Sequence, residues 1–314
     1  MQKEIVVVGS INLDLVASSS RIPLAGETVA GSTFRTFPGG KGANQAVAAA
    51  RLGAAVTILG KLGNDALGVE LRDSLENAGV ETGPVENVAD SSGVALINTD
   101  AKGENAITVV PGANAYLSPA DIDANGELLR RAGIVLTQLE VPIETVECLA
   151  RFTRQERVPL MLDPAPARPL LPTLLSCVDW LTPNETETCV LLGRAQRNLS
   201  PSELEDAANA LLQLGCKNVI LKLGGRGCYL ALADGTRRAV PAHTVVAVDT
   251  TAAGDAFNGA FAVGLLAGKD PVKSAEWACA VAAFSVTRHG AQPSMPTLNE
   301  LESFLEAHSP SLNA

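Results

Sequence analysis

Aromatic residues are scarce in this chain, 4% of 314 positions, and there are only three histidines. The six cysteines, Cys148, Cys177, Cys189, Cys216, Cys228 and Cys279, lie far apart and form no C-x-x-C pair. With the scattered histidines they offer no zinc spacing, and they read as buried free thiols of a reducing compartment. Basic residues are in deficit: 24 Lys and Arg against 34 Asp and Glu give a formal charge of −10. A nucleic-acid surface needs clustered cations, so that class of partner is excluded, although a nucleotide needs only local dipoles and a few bases. The N-terminal apolar run Ile5–Val8 is too short for a signal-peptide core or a membrane span. These absences predict a soluble, cytoplasmic protein that engages neither nucleic acid nor membrane.

Three enzyme signatures are also missing. Gly-Lys occurs at Gly40-Lys41, Gly60-Lys61 and Gly268-Lys269, but Gly, Leu and Asp follow, so none completes G-x-x-x-x-G-K-[ST]. The stretch after the first strand reads Gly9-Ser-Ile-Asn-Leu-Asp, not a dinucleotide G-x-G-x-x-G. No G-x-S-x-G elbow is present. P-loop enzymes, NAD dehydrogenases and α/β-hydrolases are thereby disfavoured.

What is present is the patterning of a large globular chain, 46% apolar and 18% charged. Residues 1–314 read as a single α/β domain. Strands are predicted at Ile5–Val8, Val56–Leu59, Ile134–Gln138, Leu160–Leu162, Trp180–Thr182 and Val219–Leu223. Helices are predicted near 41–52, 66–77, 119–131, 143–155, 185–192, 201–214, 272–288 and 298–307. Such alternation implies a doubly wound, mostly parallel sheet flanked by helices, with ligands at the carboxyl ends of the strands. Two β-only interruptions, about 11–38 and 93–110, break the repeat and can pair as one small projecting sheet, a lid. Glu140 follows one strand end and is placed either in such a crevice or in an ordinary loop.

Four stretches carry chemistry. In Gly9–Val16 the apolar Ile11, Leu13 and Leu15 alternate with Asn12 and Asp14, which puts an amide and a carboxylate on one strand face. Phe37-Pro-Gly-Gly-Lys-Gly-Ala-Asn-Gln-Ala46 feeds glycines into a helix start, with Lys41 and Asn44 as polar tips. In Thr182-Pro-Asn-Glu-Thr-Glu187, Thr182 as N-cap, Pro183 at the first helical position and Glu185 at the third form an expected capping box. Asn184 and Glu187 are left over on one helix face, where they could hold hydrated Mg²⁺. Lys222-Leu-Gly-Gly-Arg-Gly227 either lets backbone approach a nucleotide or makes a hairpin before the apolar run Cys228–Leu232.

A fifth stretch is the one around which the chain is organised. Asp249-Thr-Thr-Ala-Ala-Gly-Asp255 lies between a β-like run, Thr244–Val248, and a helix-like run, Ala256–Ala267. A helix N-terminus exposes unpaired N–H groups and partial positive charge, and small residues there let an anion come close. Asp255 in the first turn could take a proton from a hydroxyl attacking that anion, or could simply favour the dipole.

Together these motifs, with Thr287-Arg-His-Gly-Ala-Gln-Pro-Ser294, resemble the ribokinase family of sugar kinases over nearly the whole chain. The resemblance implies an α/β core with a small β-sheet lid that also forms a homodimer contact. It implies transfer of the ATP γ-phosphoryl group to O5 of D-ribose or a related pentose. Asn12, Asp14, Gly39, Gly40, Lys41, Asn44 and Glu140 would contact the sugar. Asn184, Lys222, Gly224, Gly225, Gly227 and Gly254 would surround ATP, with Glu187 ordering the water shell of Mg²⁺. Asp255 would be the base, and the Ala252, Ala253 and Gly254 amides an anion hole. A K⁺ ion would sit beside that hole, at Asp249, Thr251, Ser285, Arg288, Gly290 and Ser294. The chain departs from the pattern at Cys279, where members carry His or Asn near the adenine, and Ala252 stands where much of the wider family has Gly. The other readings are a kinase of the same family acting on 2-deoxyribose, another sugar or a nucleoside, and a non-catalytic sugar-binding regulator.

Overall fold

The fold was analysed in a computed structural model that describes residues 3–308. In chain order the strands are β1 (Ile5–Val8), β2 (Asn12–Ser19), β3 (Gly31–Gly39), β4 (Val56–Leu59), β5 (Lys61–Gly63), β6 (Val80–Glu81), β7 (Glu86–Val88), β8 (Gly93–Thr99), β9 (Asn105–Val110), β10 (Ile134–Thr137), β11 (Leu160–Leu162), β12 (Trp180–Leu181), β13 (Asn218–Lys222), β14 (Cys228–Ala231) and β15 (Arg237–Val240). The helices are α1 (Lys41–Arg51), α2 (Ala66–Asn77), α3 (Pro119–Ala124), α4 (Gly126–Arg131), α5 (Ile143–Glu156), α6 (Pro172–Leu175), α7 (Glu185–Leu191), α8 (Leu204–Gln213), α9 (Ala253–Leu266), α10 (Pro271–Ser285) and α11 (Leu298–His308).

β1 shows why its sequence is continuously apolar. Ile5 and Val7 pack into a core with α1, α9 and α10, whereas Val6 and Val8 pack into a second core with α5 and α8 on the opposite face. A strand buried on both faces has no polar side to alternate with. Nine strands form this sheet in the order β15-β14-β13-β12-β11-β10-β1-β4-β6, parallel except where β13, β14 and β15 run antiparallel. The strand order reverses at β1 and β10, so the crevice beyond their carboxyl ends is where ligands gather in such sheets. A second sheet, β3-β2-β8-β9, holds the two interruptions together.

Local expectations fail where partners decide the outcome. Thr244–Val248 is not a strand: no strand lies beside it, Val246 is exposed, and the segment is held by Val248 N–H donating to Val286 O (2.7 Å). The helix expected over 119–131 breaks at Asn125 into α3 and α4. α9 starts at Ala253 rather than Ala256, and α10 ends at Ser285 rather than near 288. α8 begins only at Leu204, after a 3₁₀ turn over Pro201–Glu203. The short β5, β6, β7, the edge strand β15 and the four-residue α6 have too few residues to show a period.

Candidate active site

The site is assembled from the carboxyl ends of the sheet. Ser10 follows β1, Gln138 and Glu140 follow β10, Asp163 follows β11, Asn184 follows β12, and Lys222 closes β13. The start of α1 is pressed against the β1–β2 junction. Gly40 there has a φ of +85°, and a Cβ on it would come within 2.6 Å of Asn12 N. Glu140 faces this helix start: its Oε2 accepts from Ser10 Oγ (2.5 Å) and from Lys41 N (3.1 Å), at the positive end of α1. Of the two placements open to Glu140, the crevice holds.

Asp255 is buried at the third residue of α9. Asn44 Nδ2 donates to its Oδ2 (3.0 Å) and Gln45 Nε2 to its Oδ1 (3.1 Å). Gln45 Nε2 also reaches Asp163 Oδ2 (3.1 Å), Asp163 Oδ1 accepts from Lys222 Nζ (2.9 Å), and Gln138 Nε2 donates to Gln45 Oε1 (2.7 Å). Burial pushes the Asp255 carboxyl upward against the counteracting Lys41 ammonium, and Asp163 adds to the rise. Asp14, whose carboxylate lies against Gly39, is raised to about 7 by burial, then by Glu140 and Asp255, with Lys41 opposing. Burial alone would lower the ammonium groups of Lys41 and Lys222. Asp255 and Glu140 lead the carboxylates that outweigh it at Lys41, and Asp163 and Glu187 do so at Lys222, so both are held charged.

The first turn of α9 is preceded by Ala252, whose φ of +58° is left-handed, a conformation that costs an alanine roughly 1 kcal/mol. Of the amides expected to line an anion hole, the Ala253 N–H is turned to Thr250 O (3.3 Å). Those of Ala252 and Gly254 have no acceptor among the described residues, and neither has the Asp255 N–H, which was not among those expected. They open on a cavity of about 560 Å³. Lys41, Asn184, Lys222 and the glycines of the Gly224–Gly227 turn border it, and Cys279 lies at its far side.

Asn184 and Glu187 are placed differently from the expectation. The N-cap of α7 is Asn184, not Thr182, and the capping box joins Asn184 to Glu187: Glu187 N donates to Asn184 Oδ1 (2.8 Å) and Asn184 N to Glu187 Oε2 (2.7 Å). Thr182 is instead buried against Leu162 O, and Glu185 ties down the glycine turn by accepting from Arg226 Nη2 (2.5 Å) and Leu199 N (2.6 Å). Burial raises the Glu187 carboxyl, which Lys222 opposes. The Lys222–Gly227 segment makes the hairpin between β13 and β14, one of its two alternatives, and it also forms a wall of the cavity. Behind that wall Cys279 Sγ lies 3.8 Å from Cys228 Sγ, and the neighbouring thiol together with burial holds the Cys228 proton firmly.

Asp249 bridges two loops. Its Oδ1 accepts from Thr251 N (2.9 Å) and its Oδ2 from Gly290 N (2.9 Å), while Asp249 N reaches Val286 O (3.2 Å). Burial would raise this carboxyl, but hydrogen bonding from the Thr251 side chain and from the Gly290 and Thr251 N–H groups outweighs it and holds it low. The Ser285 hydroxyl donates to Ala282 O and the Ser294 hydroxyl to Ala291 O, which leaves their oxygen lone pairs as acceptors. The Arg288 guanidinium is turned away, to Glu300 (2.8 Å) and over the Phe284 ring.

Ser10, Gln45, Asn114, Gln138 and Asp163 were not singled out from the sequence. Gln138 and Asp163 directly follow the ends of β10 and β11, and Ser10 lies two residues past β1; that position was a usable signal. Nothing local marks Gln45, which bonds to residues 118 and 210 positions away.

A profile of the pfkB family carbohydrate kinases matches residues 2–298. A ribokinase of Bacillus subtilis (strain 168) is 41% identical over 304 residues, covering 96% of this chain and 99% of the relative. A deoxyribokinase of Salmonella typhi is 38% identical over 304 residues, covering 96% and 98%. The solved structure of Arabidopsis thaliana ribokinase complexed with ribose and ATP matches with a TM-score of 0.90 at 35% identity, covering 98% of this chain and 99% of that one. No helix among the described residues is long and apolar enough to cross a membrane.

Proposed function

The chain belongs to the pfkB family of carbohydrate kinases, and from that premise we propose that it transfers the γ-phosphoryl group of ATP to the O5 hydroxyl of D-ribose. The observation that carries the reading is the buried Asp255 carboxylate. It is held by two amide donors within a helix start whose free N–H groups open on a cavity of about 560 Å³. Asp255 accepts the O5 proton as that oxygen attacks phosphorus, and its raised pKa makes it a stronger base, suited to work near neutral pH. The Gly254 and Asp255 N–H groups, with Lys41, face the charge spread over the transferring phosphoryl oxygens. Lys222 and the Gly224–Gly227 turn seat the nucleotide, where Gly224 and Gly225 leave open space in place of side chains.

The pentose lies between Asn12, Asp14, Gly39 and Gly40 on one side and Asn44 and Glu140 on the other. Asn44 Oδ1 is buried with no donor among the described residues, the kind of vacancy a sugar hydroxyl fills. The acidic Glu187, locked to Asn184, suits the water shell of a Mg²⁺ ion; that ion, when bound, neutralises phosphate charge. Asp249 with oxygens of Thr251, Ser285, Arg288, Gly290 and Ser294 would supply an all-oxygen donor set suited to K⁺. The sheet β3-β2-β8-β9 closes over the sugar, and its exposed Phe34, Leu96, Ile107 and Val109 pair it with a second copy of the chain.

A second reading, a preference for 2-deoxy-D-ribose, is favoured by the deoxyribokinase at 38% identity. Comparing kcat/KM for the two sugars separates them: D-ribose is expected to be the better substrate, and a ratio at or below one overturns the ribose assignment.

A further inference from the structure

Asn114 lies in a 3₁₀ turn, Gly112–Tyr116, just after β9 leaves the small sheet. Its side chain is buried, 1% exposed, and makes four hydrogen bonds. Oδ1 accepts from Ile11 N (2.9 Å), while the two Nδ2 hydrogens are shared among Asn12 Oδ1 (2.7 Å), Ile11 O (3.1 Å) and Pro111 O (3.1 Å). The Ile11 N–H can only donate, so it dictates which atom of the Asn114 amide is the oxygen. The other atom is then a nitrogen, and it meets two backbone carbonyls and the Asn12 side chain. A reversed Asn12 amide would set NH₂ against NH₂, so the orientation of Asn12 follows from that of Asn114. Asn12 Nδ2 has no acceptor among the described residues and is not sealed inside the protein.

We propose that Asn114 is a positioning residue that fixes the Asn12 amide with its NH₂ toward the sugar, so that Asn12 reads a hydroxyl through that hydroxyl's oxygen. The inference rests on the pentose kinase reading above and adds a polarity to one of its contacts. Gly93 protects the arrangement. It pairs with Asn12 in the β2–β8 register, and a Cβ there would lie 2.2 Å from both Asn114 Nδ2 and Asn12 Oδ1. The same bonds join the β1–β2 junction to the exit of β9, so the amide is aimed where the chain enters and leaves the small sheet.

The test uses Asn114→Asp and Asn12→Asp in the full chain. In Asn114→Asp the introduced carboxylate oxygen faces three acceptors, and Asn12 turns over to supply it a donor. In Asn12→Asp the Asn114 donors keep an acceptor, but the donor aimed at the sugar is gone. Both variants are expected to raise the KM for D-ribose about tenfold or more while leaving the KM for ATP within about twofold. Sugar analogues give a readout that loss of packing would not move. At the ring position read by Asn12, the wild type should prefer the 2- or 3-deoxyfluoro pentose, which keeps an acceptor, over the matching deoxy pentose. Both variants should lose that preference. A wild type that phosphorylates D-ribose while both variants keep its KM within twofold, or keep the fluoro preference, overturns the inference alone. A wild type that turns over no aldopentose overturns the function, and this inference with it.

Discussion

Asp163 and Asp255 share a single donor: Gln45 Nε2 lies 3.1 Å from an oxygen of each. Two buried carboxylates are thereby held at one amide, with Lys222 on the far side of Asp163. Like charges this close favour protonation of one of them, and Asp163 contributes to the raised Asp255 carboxyl.

Removing that shared donor withdraws a hydrogen bond from the charged form of Asp255. Gln45→Met, similar in size and without a donor, should therefore move the acidic limb of the kcat/KM–pH profile to higher pH. An unmoved limb would show that Gln45 does not tune the base.

Asp255→Asn keeps the volume and removes the base. Turnover should fall by about 10²–10⁴ while KM for ATP and sugar change little, because positioning and charge stabilisation remain. Steady-state kinetics decide it, and wild-type turnover would reduce Asp255 to a helix-start residue.

Asp14 predicts a trade between stability and binding. Its folded pKa of about 7 lies above the ordinary carboxylate value of 3.8. The folded state therefore holds the proton more tightly, and this contribution is complete below pH about 4 and lost as pH rises through about 7. Asp14→Asn should be more stable than wild type at pH 8, by on the order of 1–3 kcal/mol, and no more stable at pH 4. Its KM for the pentose should rise. Denaturant melts at the two pH values, with sugar kinetics, check both halves.

The Asp249 bridge is the element to test for a monovalent cation. At constant ionic strength K⁺ should activate more than Na⁺, and Asp249→Ala should abolish the difference. Equal rates in the two salts for the wild type would remove K⁺ from the site.

The exposed small sheet predicts self-association. Phe34→Glu places a charge on an apolar surface and should shift a dimer toward monomer in sedimentation velocity. A wild type that sediments as a monomer at micromolar concentration would refute the pairing.

Much of the fold was legible because burial on both faces of a parallel sheet writes itself as short apolar runs, of which Ile5–Val8 is the plainest. Helix-start chemistry was legible for the same local reason: Gly40–Asn44 and Ala252–Asp255 carry their small residues and their polar tips within one turn. Tertiary contacts decided the rest. Thr182 is the cap expected from the sequence, but the helix begins after Asn184, which bridges to Lys222 of β13 and shares its capping box with Glu187. Thr244–Val248 has the residues of a strand but no strand beside it. Gln45 and Asp163 acquire their roles only when α1 and β11 meet, and Asn12 acquires its polarity only from Asn114, 102 positions away. Propensity and periodicity act over a turn or a strand, so the sequence alone determined the longer helices and the central strands and their order. A hydrogen bond depends on angstrom-scale approach between distant segments, and that approach exists only once the chain has packed.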